Sequence, residues 1–264
     1  MSYRPYLEMQ DAFYESDLPP DEIVGNVAWH ENFPYETLLL YRNGDIRFPV
    51  LENFSSKVAL DFACGPGRMM ARMNKIFRRV DGVDISSRLL AEAKRRVPQS
   101  NFYHSSGDDI GDTPLGAYDF VYSTIAMQHI ACHDIRYRIW EHLALALAPS
   151  GVITIQMAFR PDFPYVPARK LRVFDYQIEI SRKTPFCAGW FDNSVDATAT
   201  NSGYDVGIGS ADLDVVMSEF GSQFGMAACW FYDVSLVYRN LGGAAHDTGY
   251  WPTHWIFLHG RKKS

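Results

Sequence analysis

Between Lys57 and Phe159, short apolar runs alternate with amphipathic stretches, and few folds accommodate that rhythm. A buried run followed by a segment with apolar positions three and four apart reads as strand then helix. Repeated, it gives βαβ units and a parallel sheet. Strands are expected at "KVALDF", "RVDGVDI", "NFYHSS", "YDFVYST" and "GVITIQMAF". Helices are expected at "GRMMARMNKIF", at "SSRLLAEAKRRV" with Ser86 as N-cap, and at "HDIRYRIWEHLALALA", stopped by Pro149 and Gly151.

Beyond Phe159 the rhythm lapses until Gly209 in a segment rich in proline and aromatic residues, among them Phe163, Tyr165, Phe186, Trp190, Phe191 and Tyr204. Within it "RVFDYQIEI" sets Phe174, Tyr176, Ile178 and Ile180 on one face, as an extra strand would. "SADLDVVMSEFGSQFG" reads as a helix capped by Ser210 and ended at Gly221. "MAACWFYDVSLVYR" and "HWIFLHG" follow as an antiparallel pair, and near the start "PYETLLLYRN" reads as a helix.

Composition narrows the partners. The 264 residues are enough to bury a large core, and the net charge of −6, with basic residues scattered, argues against a nucleic-acid backbone. No apolar run approaches the roughly 20 residues of a membrane span, and the acidic start lacks a signal-peptide core, so a soluble, cytoplasmic protein is expected. The four cysteines form no CxxC pair. Only "HIACHD" gathers candidate ligands, His129, Cys132, His133 and Asp134, and without a second cluster no metal is expected.

The chemistry concentrates in "VALDFACGPGRMM", where a buried strand ends in Asp61 and a small-residue turn with Gly65 and Gly67 leads into a helix. In open α/β sheets ligands settle beyond the carboxyl ends of the strands, and glycines there let backbone approach the ligand. Free N–H groups of the next helix suit a carboxylate. Asp61 would repel a pyrophosphate and attract an ammonium or sulfonium group, and Met70 stands where a G-x-G-x-x-G dinucleotide turn needs a small residue. Asp84, ending the next strand in "VDGVDIS", offers two acceptors for ribose hydroxyls, and Asp108 or Asp109 in "SSGDDI" could accept from an adenine amino group. An adenosine with a cationic amino-acid tail meets all three demands, which points to S-adenosylmethionine.

These segments also resemble the class I S-adenosylmethionine-dependent methyltransferases. "LDFACGPG" is similar to their first motif, "GVDIS" to their ribose-binding acid, "GDD" to their adenine-contacting motif, and "YDFVYSTIAMQHI" and "LALAPSGVITI" to their fourth strand and the turn into the fifth. Ala63 stands where that family usually has its first glycine. The resemblance implies a doubly wound, mostly parallel seven-stranded sheet with an antiparallel last strand. It also implies cofactor contacts from Asp61, Ala63, Gly65, Gly67, Asp84, Ile85, Asp108, Asp109 and Ser123. In this scheme residues 1–56 cover the cofactor and acceptor site, 57–159 form the cofactor core, 160–209 are an inserted acceptor lid, and 210–264 complete the sheet.

"STIAMQ" replaces the NPPY-like motif of amino-methylating DNA enzymes, and the aromatics of the insertion, with Trp29, His30, Tyr41, Asp192 and Asp196, suit a sugar ring or an aromatic metabolite. The expected function is O-methylation of a hydroxyl on a small molecule or sugar. N-methylation of a small molecule and a non-catalytic cofactor-binding scaffold are the alternatives. His129, just beyond the fourth strand, is the candidate general base, because an ordinary imidazole pKa near ~6.5 suits proton transfer at neutral pH. His30 and His254 are weaker candidates.

Overall fold

The computed structural model describes residues 4–17, 19, 33–130, 133–160, 169–173, 176–180, 208–209, 213–233 and 254–262. Helices α1 (Arg4–Tyr14) and α2 (Tyr35–Leu40) precede the alternating core. That core runs β1 (Val58–Phe62), α3 (Arg68–Met73), β2 (Arg79–Asp84), α4 (Ser87–Arg96), β3 (Phe102–His104), β4 (Tyr118–Ser123), α5 (His133–Ala146) and β5 (Leu147–Arg160). After it come β6 (Arg169–Val173), β7 (Tyr176–Ile180), β8 (Ile208–Gly209), α6 (Leu213–Phe224), β9 (Met226–Asp233) and β10 (His254–Arg261).

The main sheet follows the order β3-β2-β1-β4-β5-β10-β9, with the two-residue β8 paired to β5 as an eighth strand. Strands β1 to β5 pair in parallel, and β10 runs antiparallel to both β5 and β9. The chain works outward from β1 through β2 to β3, then returns to lay β4 on the other side. The order therefore reverses between β1 and β4, the place where open α/β sheets hold ligands.

Alternation along the strands fills two cores. Val58, Leu60, Val121, Ile153, Ile155, Ile256 and Leu258 face one layer with Ile139, Trp140 and Leu143 of α5 and Phe220 and Phe224 of α6. Ala59, Phe120, Tyr122, Val152 and Phe257 face the other, with Leu38 and Leu39 of α2 and Met69, Met70 and Met73 of α3. All five residues of β1 are buried, as a central strand covered on both faces requires. Among the described residues no helix is long and apolar enough to cross a membrane.

Three expectations need correction. Helix α5 ends at Ala146, before Pro149, because the carbonyls of Leu145 and Ala146 accept from the N–H groups of Gly116 (2.8 Å) and Ala117 (3.0 Å) on the approach to β4. Helix α6 runs through Gly221 and stops at Gly225, which sits at φ 77. Gly221 is instead a packing residue, where a Cβ would lie 3.4 Å from Ala227 of β9. "RVFDYQIEI" is not one strand: Arg172 and Val173 end β6, and Tyr176 opens β7 in a separate antiparallel hairpin. Val173 and Tyr176 pair in register, so period-two alternation carries over from one strand to the other and hides the break. The chain also carries the three-turn α1, which the sequence pattern does not announce. Trp29, His30, Cys132, Phe163, Tyr165, Phe174, Phe186, Cys187, Trp190, Phe191, Asp192, Asp196, Tyr204 and Ser210 lie outside the described residues.

Candidate functional site

The turn from β1 into α3 is built on left-handed backbone. Ala63 (φ 58), Gly65 (φ 52) and Gly67 (φ 77) all have positive φ. Glycine adopts this region without penalty, whereas alanine at Ala63 strains by about 1 kcal/mol. Gly67 is also needed for space, since a Cβ there would lie 3.0 Å from the Cβ and 3.1 Å from the Cα of Ala93 on α4. Opposite Asp61 in register stands Gly82 of β2, where a Cβ would meet the sulfurs of Cys64 and Met70 at 2.7 Å each. Bare backbone at these positions lets the turn lie flat on the strand ends.

Asp84 holds the turn in place. Its Oδ2 accepts the Gly65 N–H at 2.7 Å and its Oδ1 accepts the Ser86 N–H at 2.9 Å. The side chain is buried, and burial raises its pKa to about 6, with the bonds from Ser86 and Gly65 acting in the opposite direction. A carboxylate keeps lone pairs beyond two such bonds, so it can still accept from a ligand hydroxyl. Ser86 is the N-cap of α4 as its sequence position implies, accepting from the Leu89 N–H at 3.1 Å.

Asp61 differs. It is 2% exposed, and its Oδ2 has no hydrogen-bond partner. Burial pushes its carboxyl well above the usual carboxylate range; the nearby hydroxyl of Tyr122, its cross-strand neighbour on β4, partly counters this, and the charge of Asp84 adds to it. The Tyr122 hydroxyl is likewise buried without a bond of ordinary geometry. A buried carboxylate in this state costs free energy that a cationic group would recover. Cys64, beneath the turn, is no nucleophile, because burial and the two acids push its thiol pKa well up.

The remaining expected residues divide by role. Ile85 and Leu7 of α1 meet above Gly107, where a Cβ would lie within 3.0 Å of both. Asp109 is occupied by its own loop: burial pushes its pKa up, but the Ser106 hydroxyl (2.6 Å) and then the Ser106 N–H (2.9 Å) and Gly111 N–H (3.0 Å), all donating to its carboxylate, bring it below the ordinary value. Asp108 pairs with Arg138 at 2.7 Å. Ser123 donates to the Phe62 carbonyl at 3.0 Å and so ties β4 to β1. His129 closes a single 3-10 turn after β4, and Tyr6 of α1 donates to its carbonyl at 3.4 Å. Asp61, Ala63, Gly65, Gly67, Asp84 and Ile85 thus cluster at the ends of β1 and β2, whereas His129 follows β4 and is tied to α1.

Two features escaped the sequence. Helix α1 lies against these strand ends, fixed by the bond from Ser86 Oγ to the Tyr14 carbonyl (3.0 Å) and by Glu15 capping Ser87 and Arg88 of α4. The other is a buried amide pair. Ile125, a β-branched residue at φ 52, donates its N–H to Gln156 Oε1, and Gln156 Nε2 donates to Gln128 Oε1 at 3.3 Å. The pairing spans β4 and β5, so no local pattern announces it; only the odd glutamine within "GVITIQMAF" gives a signal.

Residues 59–151 match a family model described as a methyltransferase domain. Over 110 residues the chain is 32% identical to trans-aconitate 2-methyltransferase of Escherichia coli (strain 55989 / EAEC), a stretch covering 40% of this chain and 40% of that relative. The chain therefore spans less than half the length of this curated relative. Among solved structures, an S-adenosylmethionine-dependent methyltransferase from Leishmania major superimposes with a TM-score of 0.60 at 14% identity, covering 97% of this chain and 83% of the other. A Haemonchus contortus phosphoethanolamine N-methyltransferase, solved with phosphomonomethylethanolamine and S-adenosylhomocysteine, gives 0.56 at 16% identity, covering 100% and 61%. At these identities the two structures speak for the fold.

Proposed function

Residues 59–151 form a class I S-adenosylmethionine-dependent methyltransferase domain, and from that premise we propose that the protein moves a methyl group from S-adenosylmethionine to an oxygen of a small molecule. The observation that carries this reading is Asp61, a buried carboxylate with an unbonded oxygen at the end of β1, beside a turn of left-handed backbone. The residues fit the cofactor. Asp61 would receive the cationic tail, Asp84 with its spare lone pairs the ribose, and Asp108, although it pairs with Arg138 and accepts from Ser106 Oγ, is assigned to the adenine amino group. When bound, the cofactor supplies a methyl carbon already activated by its sulfonium.

The protein's task is then alignment and exclusion of water. Held there, the cofactor would supply its methyl to the acceptor oxygen, the carbon–sulfur electron pair would remain on sulfur, and a hydroxyl acceptor would give up its proton. We assign that proton to His129. Residues 1–56 cover the site in this reading, and the insertion from 160 to 209 selects the acceptor. An oxygen acceptor is supported by the similarity to a relative whose name gives a small organic acid, trans-aconitate, as its substrate.

Calorimetry with S-adenosylmethionine, S-adenosylhomocysteine and NAD tests the cofactor, with binding of the first two and not the third expected. Methyl-labelled cofactor with a panel of hydroxy and carboxylic acids, sugars and amines tests the reaction. NAD binding without S-adenosylmethionine binding would overturn the reading, and label transfer to amines alone would overturn the oxygen assignment.

A further inference from the structure

Helix α1 brings a second set of polar groups to the edge of the sheet. Asp11 and Glu15 are four residues apart, and the Glu15 N–H bonds to the Asp11 carbonyl at 2.9 Å, so helical geometry carries both carboxylates to one face. Facing them is His104, the last residue of β3, paired in register with Asp84. One carboxylate oxygen from each acid and a ring nitrogen of His104 lie within 4.8 Å of one another. Among the described residues the side chains of Asp11 and His104 make no hydrogen bond and no ion pair. Glu15 uses Oε1 to cap Ser87 and Arg88, while Nε and Nη2 of Arg88 form no hydrogen bond and so do not engage its carboxylate.

Three ligand atoms from two elements thus converge without touching. A cation at the centre of such a triangle would lie no more than about 2.8 Å from each atom, which small side-chain rotations shorten to the roughly 2.0–2.2 Å of a zinc site. One imidazole with two carboxylates favours a first-row transition dication over Mg²⁺ or Ca²⁺, which prefer oxygen alone. We propose that Asp11, Glu15 and His104 bind such an ion, with Zn²⁺ as the probe, and that it staples α1 to the end of β3 beside Asp84. The ion would bridge a helix and the sheet it covers, leaving its fourth position to water.

The test is calorimetric titration of the chelator-treated full chain with Zn²⁺, without cofactor, so that the result does not depend on the methyl-transfer reading. Saturable binding of one ion is expected, with a rise in Tm. His104→Ala and Asp11→Asn should each weaken binding by about tenfold or more and abolish the rise in Tm. Circular dichroism identifies which variants fold, and either variant alone suffices. Absence of saturable Zn²⁺ binding overturns the proposal. So does unweakened binding by a folded His104→Ala, which would place the ion on other residues.

Discussion

The two halves of the sheet treat buried polar groups in opposite ways. Where β1 meets β2, Asp61 and Asp84 are buried at strand ends, and Asp61 keeps an unbonded oxygen. Where β5 meets β10, Thr154, Gln156 and His259 are as deeply buried but meet partners inside the protein. Thr154 Oγ1 lies 3.4 Å from His259 Nδ1, and Gln156 bonds to Gln128 and Ile125. On the first side a carboxylate oxygen is left without a partner, whereas on the second the Gln156 amide and the Thr154 hydroxyl find theirs within the protein. That contrast, more than burial itself, singles out Asp61.

The largest expected effect belongs to the β5–β10 half. Trp140, fully buried and edge-on to Phe220 at 5.3 Å, anchors α5 to α6. Trp140→Ala should cost about 3–5 kcal/mol in denaturant unfolding while leaving the cofactor affinity of folded protein unchanged. A parallel loss of affinity would break the separation between the halves.

Next in size is a pair of opposed pH effects. Burial raises Asp84 to about 6, so its folded form holds a proton that the unfolded chain releases, and its contribution is lost as pH rises from about 4 to 6. Burial, with Arg42 and Arg261 nearby, lowers His259 to about 4, so its contribution is full above about 6.5 and is lost as pH falls toward 4. Each is worth on the order of 3 kcal/mol. Asp84→Asn should therefore make stability fall more steeply on acidification, and His259→Gln should make it fall less or reverse the slope. Unfolding curves at several pH values between 4 and 7 would read both.

Asp61→Asn sharpens the contrast further. Removing a buried acid whose ionised form is disfavoured and whose Oδ2 lacks a partner should stabilise the free protein by about 1–3 kcal/mol. The same change should weaken S-adenosylmethionine binding about tenfold or more, so Tm should rise as affinity falls. Ala63→Gly should do least, stabilising by about 0.5–1 kcal/mol through relief of its left-handed backbone. Chemical denaturation measures it, and a destabilised variant would show that the methyl group of Ala63 packs usefully.

The half that holds Asp61 was also the legible one. "VALDFACGPG" and "VDGVDIS" join residues close in sequence, and their acids, glycines and N-cap appear where the pattern puts them. Ala63 registers as an exception in sequence and in backbone alike. Most of the illegible features depend on distance along the chain, the break between β6 and β7 and the end of α6 being local. Tyr122 meets Asp61, Gln156 meets Gln128, and α1 seats Tyr6 beneath His129 only after the sheet has assembled. The end of α5 was hidden for the same reason: its last carbonyls are claimed by Gly116 and Ala117, some thirty residues earlier.

The place of β10 has a consequence for how the molecule is made. It lies between β5 and β9, both of which leave the ribosome before it. From the synthesis of Arg160 to that of Arg261, the edge of β5 along Val152–Phe159 awaits β10, its antiparallel partner there among the described residues. At ~5–20 residues per second that interval lasts roughly 5–20 s. During that time the nascent chain carries an apolar strand ready to pair with any other extended chain. Yield in cells should therefore respond to translation speed and to chaperones acting after β5, even in variants whose finished form is no less stable.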